Sequence, residues 1–401
     1  MNSTKHLAIF GGAPAFAEPV HVGRPNIGNR EHLMARINDM LNRRWLTNNG
    51  IYVQELEREL EKKLGVKHCI AMCNATVALE IVIRALELKG EVIVPSFTFI
   101  ATAHALQWQE ITPVFCDVDP ETHNLDPRRV EELITPRTTG IIGVHLWGRP
   151  CNIDPLTEIA QRRQLKLLFD AAHAFGCTSA GRYIGNFGDA EVFSFHATKF
   201  FNAFEGGAVT TNDDALAAKI RLMKNFGFSG YDNVVYIGTN GKMSEASAAM
   251  ALTSLESMDS FIATNRVNYE TYAISCAEFP GLKLVRYDGN ERNNYQYVVV
   301  EVDESQTILS RDDLIKVLHA ENVIARRYFY PGCHRMEPYR SFFPHARLLL
   351  PDTEALANRV LVLPTGTGVD EGSINKIGRI LGAAIKQASA VHNRLQEDVQ
   401  A

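Results

Sequence analysis

GIIGVHLWGRPCNIDPLTEIAQRRQLKLLFD, residues 140–170, decides the fold. It opens on a short apolar run, GIIGVHL, and passes through a turn rich in Gly and Pro into an amphipathic segment, DPLTEIAQRRQ. It closes on a second apolar run that ends in a carboxylate, LKLLFD. Short apolar runs with helix between them suit a parallel sheet, because helices cover both faces and leave no polar side. The alternation extends in both directions. Upstream lie CIAMC (69–73) leading into a helix, VALEIVIRALEL, then EVIVP (91–95) and the helix TFIATAHALQW, then the strand TPVFCDVD and the helix RRVEELI. Such a pattern predicts a doubly wound, mostly parallel α/β sheet through about residue 220.

Outside this region the pattern differs. The first fifty residues are irregular apart from an amphipathic stretch at 31–42. A charged helix follows, with Leu56, Leu60 and Leu64 on one face and Gly65 as its stop. Residues 245–275 read as one long helical stretch. YQYVVVEVDE then reads as a strand, RDDLIKVLHAEN as a helix, VIARRYFYP as a strand and SINKIGRILGAAIKQA as a closing helix. The expected organisation is a large domain over 1–260 and a smaller α+β domain over 261–401, with the first about 20 residues packing on the smaller one.

With 401 residues, 46% hydrophobic and 22% charged, the chain has ample material for cores of that size. Its net charge, 41 minus 46 or −5, comes without a basic stripe, so neither nucleic acid nor an anionic membrane is an expected partner. No apolar run reaches the about 18–20 residues of a membrane helix, and the N-terminal apolar stretch is too short for a signal peptide. Seven scattered cysteines without a CxxC pair predict free thiols and a cytoplasmic location rather than a disulfide framework or zinc site.

In an open parallel sheet, ligands bind beyond the carboxyl ends of the strands. The residues expected there are Asn74-Ala75-Thr76, Ser96 to Phe99, His145, Asp170 with His173, and Ser194 to Lys199. A dinucleotide site would need GxGxxG, and neither Gly11-Gly12 nor Gly206-Gly207 has that spacing. His145, Asp170, His173 and His196 could ligate a metal, although nothing in their spacing has the regularity of HExxH. A binding or regulatory module is the bland alternative. Pyridoxal 5'-phosphate accounts for more residues together. It needs a lysine for a Schiff base and an acid against its ring nitrogen. It also needs free N–H groups at a helix start for its phosphate and an aromatic face for its ring. Asp170 ends a buried strand, and Lys199 follows 29 positions later in a turn among small residues.

At these residues the chain resembles the DegT/DnrJ/EryC1/StrS sugar aminotransferases. The resemblance rests on WLTNNG (45–50), CNATVALE, VPSFTFIATAHAL, GVHLWGRPCNID, LFDAAHAFG, VFSFHATKFFNAFEGGAV, GTNGKMSEASAAM and RRYFYPGCH, and it spans nearly the whole chain. It implies a fold type I, aspartate aminotransferase-like transferase. Lys199 would be the Schiff-base lysine and proton carrier, and Asp170 the partner of the pyridinium nitrogen. His173 would face the cofactor near its ring hydroxyl, Phe99 would lie on the ring, and Ala75, Thr76 and Ser194 would hold the phosphate. Asn240 would reach the phosphate from a partner subunit, making a homodimer with shared sites. The family usually has Arg where Lys242 stands, so Lys242 carries no role. Tyr330 and His334 would line the nucleotide-sugar pocket. The implied reaction takes L-glutamate and dTDP-4-keto-6-deoxy-D-glucose to 2-oxoglutarate and dTDP-4-amino-4,6-dideoxy-D-glucose, with pyridoxamine phosphate as the halfway form. The alternatives are a 3-keto or GDP-linked substrate. A related sugar dehydratase would carry His in place of Lys199.

Overall fold

The computed structural model describes residues 7–400, with side chains as far as 397. Residues 1–6, the start of the segment judged too short for a signal peptide, lie outside that range. Seven strands make the main sheet: β1 His68–Met72, β2 Glu91–Pro95, β3 Thr112–Cys116, β4 Thr138–Val144, β5 Lys166–Asp170, β6 Ala190–Ser194 and β7 Gly207–Thr211. Their spatial order is β1-β7-β6-β5-β4-β2-β3. The five from β6 across to β3 run parallel, and only β7 runs antiparallel to both its neighbours. The strands β2, β4, β6 and β7 are almost wholly buried, as their apolar runs required, and the edge strand β3 is buried at three of its five residues.

Helices cover both faces. On one, the helix Ile51–Leu64 buries Leu56, Leu60 and Leu64 and stops at Gly65, whose φ of 67° suits a residue without Cβ. Each of those leucines contributes about 2 kcal/mol by leaving water. On the other, the helix Ala75–Ala85 buries Leu79, Ile81, Val82 and Ile83. The expected long helix at 245–275 is two, Glu245–Glu256 and Met258–Ala277, divided at Ser257.

A second, antiparallel sheet joins β8 Leu282–Leu284, β9 Val298–Val302 and β10 Val360–Leu363. Helices Arg311–Ala320 and Glu371–Lys386 pack beside it around a separate apolar cluster that includes Leu7. Val20–His21 pairs in parallel with Val323–Ile324, so the N-terminal segment from Leu7 onward lies against this part of the chain. The strand expected over VIARRYFYP is limited to Val323–Ile324. Beyond it a single bridge joins Arg326 to Val362, and the side chains that follow serve packing: Phe329 stacks on Trp147, and Tyr330 lies over Arg327.

Candidate active site

The polar residues collect where the carboxyl ends of the parallel strands meet the amino end of β7. At β1, Asn74 caps the following helix by accepting the Val77 N–H at 2.8 Å. The Ala75 and Thr76 amides, in the same first turn, have no acceptor within the described chain. Gly207 lets β7 approach them: a Cβ there would lie 2.8 Å from the Ala75 nitrogen and 2.8 Å from the Phe193 oxygen. Gly207 is also paired with Ser194, which places the half-buried serine on the neighbouring strand end.

Lys199 stands in the turn that leaves β6. Its amide bonds the His196 carbonyl at 2.8 Å, and Phe195, Phe200 and Phe201 anchor the turn in the core. The next amide, Phe200 N–H, donates to Gln296 Oε1 at 3.2 Å, and the Phe200 carbonyl accepts from Asn26 Nδ2 at 3.0 Å. Lys199 Nζ donates to the Tyr297 hydroxyl at 3.2 Å. Enclosure lowers its pKa from 10.5 to about 8, against the opposing pull of the Asp170 charge.

Asp170 is buried at the end of β5, where Oδ2 accepts from Thr102 Oγ1 at 2.8 Å and Oδ1 from the Ala172 N–H at 3.1 Å. Burial raises its pKa, and among the described residues it forms no salt bridge. A carboxylate placed there calls for a cationic N–H from a ligand. His173 is not on a helix; the chain turns twice, and Asn294 Nδ2 takes the His173 and Phe175 carbonyls at 2.8 and 3.2 Å that a helix would have used. The imidazole lies alongside Trp147 and Phe329, with ring centroids 6.2 and 5.8 Å away and planes within 16° and 10°, while those two rings stack on each other at 5.3 Å. Burial, reinforced by the nearby Lys199 charge, drives its pKa well below the usual value, so the ring is neutral.

Phe99 is 57% exposed at the mouth of this aromatic group, its ring 6.5 Å from that of Phe329. Asn240 is exposed beside the end of β1, where the adjacent Gly241 carbonyl accepts the Cys73 N–H at 2.8 Å. Tyr330 lies partly exposed between Arg311 and Arg327, 5.1 and 4.6 Å from the ring centre.

Two expectations change. His334 is not brought to a pocket: its side chain is 1% exposed, with Nδ1 on Ser96 Oγ and Nε2 on Glu354 Oε1, each at 2.7 Å. It ties the end of β2 to the helix Pro351–Arg359 and has no surface left for a ligand. Nor do the four residues of the metal reading converge. His145 is sealed, donating from Nε2 to Glu191 at 2.9 Å and accepting the Cys151 N–H at Nδ1, while His196 turns to Thr198 and Glu205. Because a backbone N–H can only donate, that His145 nitrogen is bare and the ring is neutral.

Sequence reading missed Thr102, Trp147, Tyr297 and Phe329. Each falls in a stretch read only as strand, helix or motif; Trp147, Tyr297 and Phe329 carry the signal of an aromatic side chain, and Thr102, on the helix Ala101–Gln107, carries none.

The model of the DegT/DnrJ/EryC1/StrS aminotransferase family matches residues 28–381. The chain belongs to this family. A dTDP-4-amino-4,6-dideoxy-D-glucose transaminase of Shigella dysenteriae is 40% identical over 348 residues, covering 86% of this chain and 94% of that protein. GDP-perosamine synthase of Caulobacter vibrioides is 36% identical, covering 83% and 90%. In structure, DesI crystallised with its TDP-sugar product superposes with a TM-score of 0.94 at 49% identity, covering 98% of this chain and all of that one. The fold is accordingly that of the fold type I aminotransferases, and the family's cofactor is pyridoxal phosphate. The donor set fits that group: free helix-start amides with Ser194 for a phosphate, a buried carboxylate without a salt bridge for a ring nitrogen, and a lysine of lowered pKa that feels the charge of that carboxylate. Among the described residues, no helix is long and apolar enough to cross a membrane.

Proposed function

We propose that this aminotransferase moves the amino group of L-glutamate to C4 of dTDP-4-keto-6-deoxy-D-glucose, giving 2-oxoglutarate and dTDP-4-amino-4,6-dideoxy-D-glucose. The observation that carries the reading is the pairing of Lys199, a lysine of depressed pKa, with the buried, unpaired Asp170. The choice of sugar rests on the 40% identical transaminase and on DesI with its TDP-sugar product.

Bound here, pyridoxal phosphate supplies the electron sink that lets an amino group and an α-proton leave glutamate. The chain's residues do the rest. The Ala75 and Thr76 amides and the Ser194 hydroxyl hold the phosphate. Asp170, kept in place by Thr102, would keep the ring nitrogen protonated. His173 would meet the polar edge of the ring and Phe99 would lie on its face. Lys199 Nζ takes the proton from the donor's α-carbon and later delivers one to sugar C4, with Tyr297 fixing its direction. Tyr330 and the arginines beside it face the nucleotide sugar.

A homodimer completes the site, with Asn240 reaching the partner's phosphate. Its support is the exposed apolar row Phe226, Phe228, Tyr231, Val234, Val235 and Ile237 in the segment leading to Asn240. The two sheets belong to two domains that divide near residue 260, and the chain works in the cytoplasm.

Purified protein, given glutamate and one keto-sugar nucleotide at a time, tests the reading by NMR of the product. A 4-amino product from the dTDP-linked 4-ketone is expected. A preference for GDP-4-keto-6-deoxymannose would make the synthase of Caulobacter vibrioides the better guide to substrate, and a 3-amino product would overturn the regiochemistry.

A further inference from the structure

A chain of hydrogen bonds joins the second sheet to the candidate cofactor site, with Trp147 donating to a histidine on either side. It starts at Glu301 of β9, a 7% exposed carboxylate held by Arg359 Nε at 2.9 Å and Lys283 Nζ at 3.9 Å. His123, 1% exposed, faces it with Nε2 at 3.1 Å. The other nitrogen of His123, Nδ1, meets the indole N–H of Trp147 at 3.2 Å. Trp147 is fully buried, and its own backbone N–H meets His173 Nδ1 at 3.3 Å.

Two of these donors admit one reading each. An indole N–H and a backbone N–H can only donate, so Nδ1 of His123 and Nδ1 of His173 are both bare acceptors. His123 therefore gives its single ring proton to Glu301, and the single proton of neutral His173 sits on Nε2. That nitrogen has no partner within the described chain. Trp147 has a contact at every polar atom: the Tyr287 hydroxyl, shared with the Tyr297 carbonyl at 2.9 Å, meets its carbonyl at 3.0 Å, beside the contacts to its amide and indole. Its ring also lies parallel to His173 and Phe329. The φ values of His123 and Trp147, 63° and 62°, are left-handed, a conformation that these fixed partners hold in place.

We propose that Glu301 and His123 are positioning residues that, through Trp147, fix His173 as an Nε2–H donor toward an anionic oxygen of the bound cofactor. The inference rests on the pyridoxal phosphate reading for its ligand and on the hydrogen bonds alone for the tautomer. It makes the seating of β9 against the main sheet a condition for placing the Trp147 amide on His173 Nδ1. Outer partners of this kind contribute about ten- to a hundredfold at ligand sites.

The test is ¹⁵N NMR of histidine-labelled full-length protein, with His173→Leu to assign the signal and fluorescence titration to measure pyridoxal phosphate affinity. Cofactor-free protein should show His173 with a bare Nδ1 and a protonated Nε2. Glu301→Gln keeps an acceptor for His123 and should leave both readouts as in the parent. Glu301→Leu and His123→Leu should broaden or split the His173 signal and weaken cofactor binding about tenfold. Should either leucine variant fail to fold, Glu301→Asp, which withdraws the carboxylate by one methylene, should move both readouts in the same direction. A parent protein with its proton on Nδ1, or folded variants with unchanged tautomer and affinity, would overturn the proposal. The expected tautomer in a protein that binds no pyridoxal phosphate would instead sink the cofactor reading and leave the positioning chain standing.

Discussion

The amine of Lys199 should be reactive at a pH where ordinary lysines are not. Enclosure lowers its pKa from 10.5 to about 8, and the Asp170 carboxylate, which favours the ammonium, limits the drop. At neutral pH a lysine of pKa 10.5 is unprotonated in roughly one molecule in three thousand, whereas at about 8 the fraction is about one in eleven. That difference is about 300-fold in available nucleophile. The perturbation is Asp170→Asn in cofactor-free protein, and the assay is stopped-flow mixing with pyridoxal phosphate across about pH 6 to 10. In the parent, the rate should climb about tenfold per pH unit and level off near pH 8. The sign for the variant follows from the charge. A lost carboxylate no longer stabilises the ammonium, so the midpoint should move down. A parent midpoint near 10, or an upward move in Asp170→Asn, would refute the argument that enclosure and Asp170 set this amine.

Three further outcomes follow from the geometry. Gly207→Ala puts a methyl 2.8 Å from the Ala75 nitrogen, so pyridoxal phosphate affinity in a fluorescence titration should fall at least about tenfold, the order expected when an anion loses its backbone donors. Thr102→Val removes the donor to Asp170 Oδ2; a hydrogen bond to a charged group contributes about 1.5–3 kcal/mol, and cofactor affinity should fall about tenfold or more while the far-UV spectrum is unchanged. His334→Leu removes one hydrogen bond from Ser96 Oγ and one from Glu354, which keep the residue 334 amide and Arg335 respectively, and the thermal midpoint should drop with a loss of about 1–2 kcal/mol. The KM for the sugar should stay the same in that variant, and a raised KM at unchanged stability would return His334 to the pocket.

The main sheet was legible because its strands are buried on both faces and so read as apolar runs without polar interruption. Lys199 and Asp170 were legible because each breaks such a run, or leaves one, with a charge that the core would not tolerate unpaired. Where packing among side chains decides the backbone, the sequence was silent. The residues from Ala325 to Pro331 look aromatic enough to continue a strand, yet Phe329 and its neighbours are spent on the stack with Trp147 and His173. The turn at 171–176 looks like a helix start, but the Asn294 side chain, more than a hundred residues away, takes its carbonyls. His334 illustrates the opposite error, since a histidine in a family motif reads as a ligand until its two partners, Ser96 and Glu354, are seen. Tyr297 and Thr102 went unnoticed for a related reason: neither hydroxyl is informative until the fold sets it against Lys199 or Asp170.

The most direct test of transamination through Lys199 is a single half-reaction followed by absorbance. Protein carrying pyridoxal phosphate is bleached with glutamate, freed of glutamate, and mixed with one equivalent of dTDP-4-keto-6-deoxy-D-glucose. The account predicts full return of the visible band with one amino sugar formed per site, and no bleaching at all in Lys199→Ala. A Lys199→Ala protein that bleaches and recovers at the parent's rate would contradict it.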